Sequence, residues 1–179
     1  MRSAQAAPAT DGESERLHRR YRQGRVFPRA VVASVDIQAP AREVWAVLVD
    51  FARYPEWNPF TPEVEAELAV GAPVRLRVSM PGRRELERVE QINRVEPERA
   101  LCWGMHMGHR ALLCANRWQV LEPVGAATRY ITADRFSGLL VPLVMALYGG
   151  PMQLGFQQMA DALKVRVEGT LPAGGAAGR

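Results

Sequence analysis

Two segments in the C-terminal half, ALLCANRWQVLEPV and ATRYITADRF, hold the side chains best placed to move protons in an apolar setting, Asn116 and Asp134. Both segments read as strands, and Pro123-Val124-Gly125 separates them as a turn. If residues 123 to 127 close a hairpin, a register pairing Val120 with Tyr130 sets Trp118 opposite Thr132 and Asn116 opposite Asp134 on one face. That face also carries Phe136, whereas the other register (Arg117, Gln119, Arg129, Arg135) is charged and polar, so the first set is expected to line the interior. A carboxyl buried there has its charged form disfavoured and a raised pKa, which suits Asp134 to general acid or base work. Asn116 would orient it or hold a carbonyl, and Tyr130 would be a further proton-moving group. The alternative is a structural polar pair whose members satisfy each other.

Soft and aromatic side chains supply candidate walls for the same interior. Met105, Met145 and Met152 are adaptable enough to line a ligand cavity, and equally able to fill a core. Trp103 and Trp118 carry the same two readings. FARYPEWNPF (51 to 60) places four aromatics at every third position, and Trp57 and Phe60 are candidates for sealing the core or touching a ligand. Asn58, between Trp57 and Pro59, is expected to bond local backbone in a turn or to touch a ligand. His106 and His109 are three residues apart with no acidic or thiol neighbour, so no metal site is expected. Glycine motifs for nucleotides and a G-x-S-x-G nucleophile are missing from the sequence, and no cofactor is expected.

The elements that must position these residues follow from periodicity. AVVASVDIQ (30 to 38) is a strand whose Val31, Ala33, Val35 and Ile37 share one apolar face. PAREVWAVLVDF sets Val44, Val47, Leu48 and Phe51 at helical spacing behind Pro40, giving about three turns that end before Pro55. VRLRVSM (74 to 80) alternates as a half-buried strand, and Pro81-Gly82 turns it into the long polar strand RRELERVEQINRVEP. RALCWGMHM and the two segments above complete an antiparallel meander. The last stretch predicts a short apolar helix over 139–148, a break at Gly149-Gly150-Pro151 and a longer helix from Pro151. Of three roles open to the first helix, a cavity lid, a dimer surface or a weak membrane-touching element, the hinge beside it favours the lid. Met152, Phe156, Met159, Leu163 and Val167 form the apolar stripe of the second, and Phe156 is a further candidate ligand contact.

Composition bounds the partners. The 179 residues, 47% hydrophobic and 23% charged, suit one domain, expected over 29–168 with a disordered basic arm before it (1–28) and a flexible tail after it (169–179). The formal charge of +4 belongs to the arm: residues 1 to 29 hold seven Arg against three acids, and the remainder holds 16 of each sign. No nucleic-acid partner is therefore expected. Cys102 and Cys114 sit in strand-like runs without metal-ligand spacing and read as reduced core residues of a cytoplasmic protein. No apolar run is long enough to cross a membrane, so stable insertion is not expected, and a monomer or weak homodimer is.

The order strand, helix, meander, long helix carries a resemblance. VDIQAPAREVWAVLVDFARYPEWNPF holds I-x-A-P-x-x-x-V-W (Ile37, Ala39, Pro40, Val44, Trp45) and D-F-x-x-Y-P-x-W-N-P (Asp50 to Pro59). Leu101 and Trp103, then Arg135 to Gly138, then Gly155, Phe156, Ala162, Leu163 and Lys164 continue it. In these elements the chain resembles the START-like, or SRPBCC, superfamily of helix-grip domains, which includes polyketide cyclase/dehydrase-like proteins. The resemblance implies an α+β fold of about six or seven strands, curved around a long C-terminal helix, with one or two short helices after the first strand. It also implies an apolar cavity for a lipid, polyketide, hormone or similar molecule. In relatives that the stretch resembles, a His often stands at the Asn116 position and a Glu at the Asp134 position. Two functions follow: a carrier or sequestering protein for a hydrophobic small molecule, or a cyclase, aromatase or dehydratase-like enzyme using Asp134 in the same cavity.

Overall fold

A computed structural model describes residues 29–170; the expected arm and most of the expected tail lie outside the described residues. Strand β1 (Arg29–Ile37) buries Val31, Ala33, Val35 and Ile37 on one face, as its alternation predicts. Pro40 then stands ahead of α1 (Ala41–Val49), and Glu43 occupies the first turn, where the helix dipole favours a negative charge. The helix buries Val44 and Leu48. A 3-10 helix, Phe51–Glu56, follows at once.

The aromatic run is a structural corner. Tyr54 donates its hydroxyl to the Leu48 carbonyl at 2.6 Å, which ties the 3-10 turn back onto α1. Its ring meets Phe51 edge-on at 5.5 Å and Trp57 at 4.9 Å, and Phe51 meets Trp103 at 6.2 Å. Asn58 Oδ1 accepts the backbone N–H groups of Phe60 (3.1 Å) and Thr61 (2.8 Å), so its side chain is spent on the turn.

Six further strands complete one antiparallel sheet: β2 (Glu63–Ala66), β3 (Pro73–Val78), β4 (Leu86–Glu96), β5 (Ala100–Met107), β6 (Leu113–Val124) and β7 (Ala127–Ser137). Their order is β1-β7-β6-β5-β4-β3-β2, so the first strand closes onto the last and the sheet curves around a helix. That helix, α2 (Val141–Thr170), buries Met152, Phe156, Met159, Leu163 and Val167 along the stripe that their spacing predicts. Lys164 donates to the Asp36 carbonyl at 2.7 Å, and Glu168 accepts the Gln38 N–H at 2.8 Å, fixing the C-terminal half of α2 to the end of β1. The fold is the helix-grip arrangement implied by the resemblance.

Two expectations are corrected. The hairpin between β6 and β7 is closed by Gly125 and Ala126 alone, with Val124 facing Ala127 and Gly125 at φ +62°. Val120 therefore faces Ile131, Trp118 faces Ala133, Asn116 faces Arg135 and Arg117 faces Asp134. A slip of one residue relative to the Val120–Tyr130 pairing exchanges the two faces of β6, because side chains alternate with period two.

The second correction concerns the helix after the sheet. No break occurs at Gly149-Gly150-Pro151; α2 is continuous, with Pro151 inside it. A proline in a helix interior deprives the carbonyl four residues earlier of its donor. Here that carbonyl belongs to Leu147, and Arg83 Nη2, from the turn between β3 and β4, donates to it. The Arg83 guanidinium also lies 5.4 Å from the centre of the Tyr148 ring. The segment expected as a hinged lid is thus the first part of the gripped helix, held down by Arg83. Replacing Arg83 with alanine is expected to cost only about 1 kcal/mol in global stability, because water reaches the site. Amide hydrogen exchange should accelerate selectively in residues 141–150, which hydrogen-exchange mass spectrometry would resolve.

Candidate functional site

Between the inner face of the sheet and the N-terminal half of α2 lies a cavity of about 300 Å³. Its walls are mostly apolar: Met80, Met105, Leu113, Phe136 and Met152 contribute, with Trp103 at the back. Three ionisable groups enter this lining from three strands of the sheet. Glu90 comes from β4, Arg117 from β6 and Asp134 from β7, and Arg88 stands exposed at the edge. A broader surface groove beside β2 and β3 is lined by Glu63, Arg75, Arg77 and Glu87. Arg77 already pairs there with Glu63 and Glu85, so the mostly apolar cavity under α2 is the better candidate.

Sequence alternation explains how the charges arrive inside. In β4, Leu86, Arg88, Glu90 and Ile92 share the inner face, because Glu90 faces the buried Val74 and Ile92 faces the buried Trp103. A register shift between Ile92 and Arg94 then turns the rest of β4 the other way. In β6 the inner set is Ala115, Arg117, Gln119 and Leu121, facing Phe136, Asp134, Thr132 and Tyr130 on β7.

Arg117 is buried, with 6% exposure, and its guanidinium packs against two rings that meet edge-on, 4.8 Å from the centre of Phe60 and 4.1 Å from that of Phe156. Nη2 donates to Met159 Sδ at 3.1 Å, and Nε is buried without a partner. Asp134 Oδ1 is likewise covered and without a partner. Burial pushes the Asp134 carboxyl up to about 6, against the pull of the Arg117 charge and the Arg135 backbone N–H. Burial, reinforced by the charge of Asp134, pushes Glu90 up to about 7. Two carboxyls poised around neutrality beside a fixed cation can give and take protons without bulk water.

The expected site residues divide into three groups. Asp134, Phe60, Trp103, Met105, Phe136 and Met152 line the cavity together. Phe156 stands behind Arg117, while Tyr130 and Thr132 are fully buried on the inner face and do not border the open space. The Tyr130 hydroxyl donates to Gln119 Oε1 at 2.7 Å, and burial drives its pKa well above the ordinary tyrosine value. Met145 is half-buried against the core rather than in the cavity wall.

The remaining expected ligand contacts lie outside the cavity, those on β6 because of its register, while the turn reading of Asn58 holds. Asn116 does not meet Asp134: it faces the outer side, where Oδ1 accepts from Asn93 Nδ2 at 3.0 Å and Nδ2 donates to Cys114 Sγ at 3.3 Å. Trp118 lies on the same outer side, in a small cluster with Cys102, Val120, Ile131 and Ala133. Trp57 and Asn58 belong to the aromatic corner and its turn, not to the cavity. Arg117 and Glu90 were missed because the hairpin register was one residue off and β4 reads as a solvated strand. The glycine at the first position of a two-residue loop was the signal that would have corrected the first.

A seven-stranded sheet gripping a terminal helix around a mixed apolar and ionisable cavity defines a START-like ligand-cavity domain. Residues 28–168 match the family model described as polyketide cyclase / dehydrase and lipid transport, and the chain belongs to that family. The fold is similar to that of the Zhui aromatase/cyclase from Streptomyces sp. R1128, with a TM-score of 0.68 at 19% identity over 83% of this chain and 99% of that one. It is also similar to a protein from Thermus thermophilus, with a TM-score of 0.64 at 17% identity over 80% of this chain and all (100%) of that one. Norcoclaurine synthase from Thalictrum flavum, in complex with a transition state analogue, gives 0.61 at 17% identity over 82% and 98%. No match was found among curated proteins.

Proposed function

We propose that the protein takes up a hydrophobic small molecule in the cavity beneath the N-terminal half of α2. The observation that carries this reading is the volume of about 300 Å³ walled by methionine, aromatic and aliphatic side chains, with a few polar groups among them. Such a site binds the apolar body of a ligand by excluding water and orients it through the polar groups. Family membership and the ligand-binding neighbours support the same class of activity. Ala115, whose side chain lines the cavity from β6, provides the test. Ala115→Trp should fill the space and abolish uptake of 1-anilinonaphthalene-8-sulfonate or of a co-purifying mass in native mass spectrometry. Undiminished uptake by a folded Ala115→Trp protein would exclude this cavity.

A second reading, an enzyme of the cyclase or dehydratase type, is favoured by the carboxyl pair. With Asp134 at about 6 and Glu90 at about 7, one can be ionised while the other is protonated near neutrality. The ionised carboxylate would take a proton from a carbon next to a carbonyl. The protonated one would give its proton to a hydroxyl leaving as water, forming the C=C bond of a dehydration. Asp134→Asn should then abolish turnover of a candidate β-hydroxy ketone while leaving its binding intact, and retained turnover would remove Asp134 from the chemistry.

A further inference from the structure

We infer that Arg117 makes the cavity selective for a ligand that carries an anionic oxygen, a carboxylate in its simplest form, on a compact apolar body. The inference rests on the cavity reading above and adds the chemistry of the ligand's polar end. A guanidinium has five N–H donors and keeps its charge, and when buried it is normally paired with a carboxylate. Arg117 makes no ion pair among the described residues: Nη2 donates to the weak Met159 sulfur, and Nε has no partner there. The rings of Phe60 and Phe156 offer the cation their π faces but no counter-charge. The space left in front of a cation so fixed is the cavity itself.

The charged and titratable groups facing that space are few. They are Arg88 and Glu90 from β4, Arg117 from β6, Asp134 from β7 and the Tyr148 hydroxyl from α2, with Thr61 the one other polar side chain. Glu90 and Asp134 act on Arg117 through space, by charge. In the empty protein they balance its charge. An entering carboxylate replaces them as the counter-ion, and one of the two carboxyls then takes up a proton. Anion binding should consequently strengthen as pH falls, while binding of a neutral analogue should not.

The test compares 2-naphthoate with 2-naphthamide, which share one fluorescent body and differ in charge. At about pH 6 the wild-type protein should bind the carboxylate about tenfold or more tightly than the amide, the worth of one charge-assisted hydrogen-bond pair. The preference should shrink toward about pH 8 as both carboxyls ionise. Arg117→Met, a residue of similar length that suits the apolar site beside the rings, should bind the amide normally and lose the preference. Glu90→Gln should retain carboxylate binding at about pH 8. Calorimetry in buffers of different ionisation enthalpy should register proton uptake with the carboxylate alone. Equal affinity of the wild-type protein for the two probes, or a preference surviving in Arg117→Met, overturns the inference and leaves the cavity reading standing. Failure of both probes to bind overturns both.

Discussion

Replacing both cavity carboxyls, Glu90→Gln together with Asp134→Asn, is expected to yield a protein more stable than the parent at about pH 8 and equally stable near pH 4. Folding raises Asp134 from its ordinary 3.8 to about 6 and Glu90 from 4.5 to about 7. Each carboxyl thus holds its proton more tightly in the folded chain than in the unfolded one. Below about pH 4 both states are protonated and nothing is lost; as pH rises through about 7 the folded state alone must ionise buried groups. Two decades in proton affinity correspond to about 3 kcal/mol for each site, and to less than twice that for both, since the charge of Asp134 supplies part of the rise at Glu90. Denaturant titrations of parent and double variant across this pH range should diverge from about pH 5 upward. Parallel curves would show that neither carboxyl resists ionisation. A gain in stability accompanied by lost ligand binding or turnover is the pattern of a site held at the expense of the fold.

The second large effect lies at the corner that delivers α2. Gly138 stands between β7 and α2 at φ +126°, where L side chains are strained. A Cβ there would come within 2.5 Å of the Leu112 carbonyl oxygen and 2.9 Å of Leu113 Cα, both backbone atoms without rotamers to adopt. The next two amides, Leu139 N and Leu140 N, donate to Ala111 O at 2.9 Å and Leu112 O at 3.0 Å, so the corner cannot swing aside without losing them. Gly138→Ala is therefore expected to cost about 3 kcal/mol or more, lowering Tm by about 10 °C. Because Leu113 lines the cavity, the same change should weaken ligand uptake. A Tm within about 2 °C of the parent would contradict this account. Gly125→Ala serves as a comparison: its φ is +62°, but nothing stands near the added atom, so backbone strain of about 1 kcal/mol is the whole cost.

Local signals in the sequence determined much of this protein. The alternation in Val31, Ala33, Val35 and Ile37 and the stripe from Met152 to Val167 depend on the pleat and on helical pitch, which are properties of neighbouring residues. Those patterns, with the aromatic corner and the R-F-S-G stretch, carried the resemblance that implied the helix-grip fold and an apolar cavity. Asp134, Phe136 and Met152 could be placed in the cavity because β7 and α2 each present one clearly apolar face.

Only the tertiary structure decided what stands opposite Asp134. The choice between Asn116 and Arg117 turned on one residue of hairpin register, set by Gly125 and Ala126, and a charged face was assigned to solvent by default. The inner face of β6 instead accommodates Arg117 because Phe60, Phe156 and Met159, brought from two other elements, pack against it. The continuity of α2 past Pro151 is decided in the same way, by Arg83 arriving from a turn 64 residues away in sequence to serve the Leu147 carbonyl. Polar groups lose their bias toward water when distant residues supply their partners, and no pattern of near neighbours records that supply.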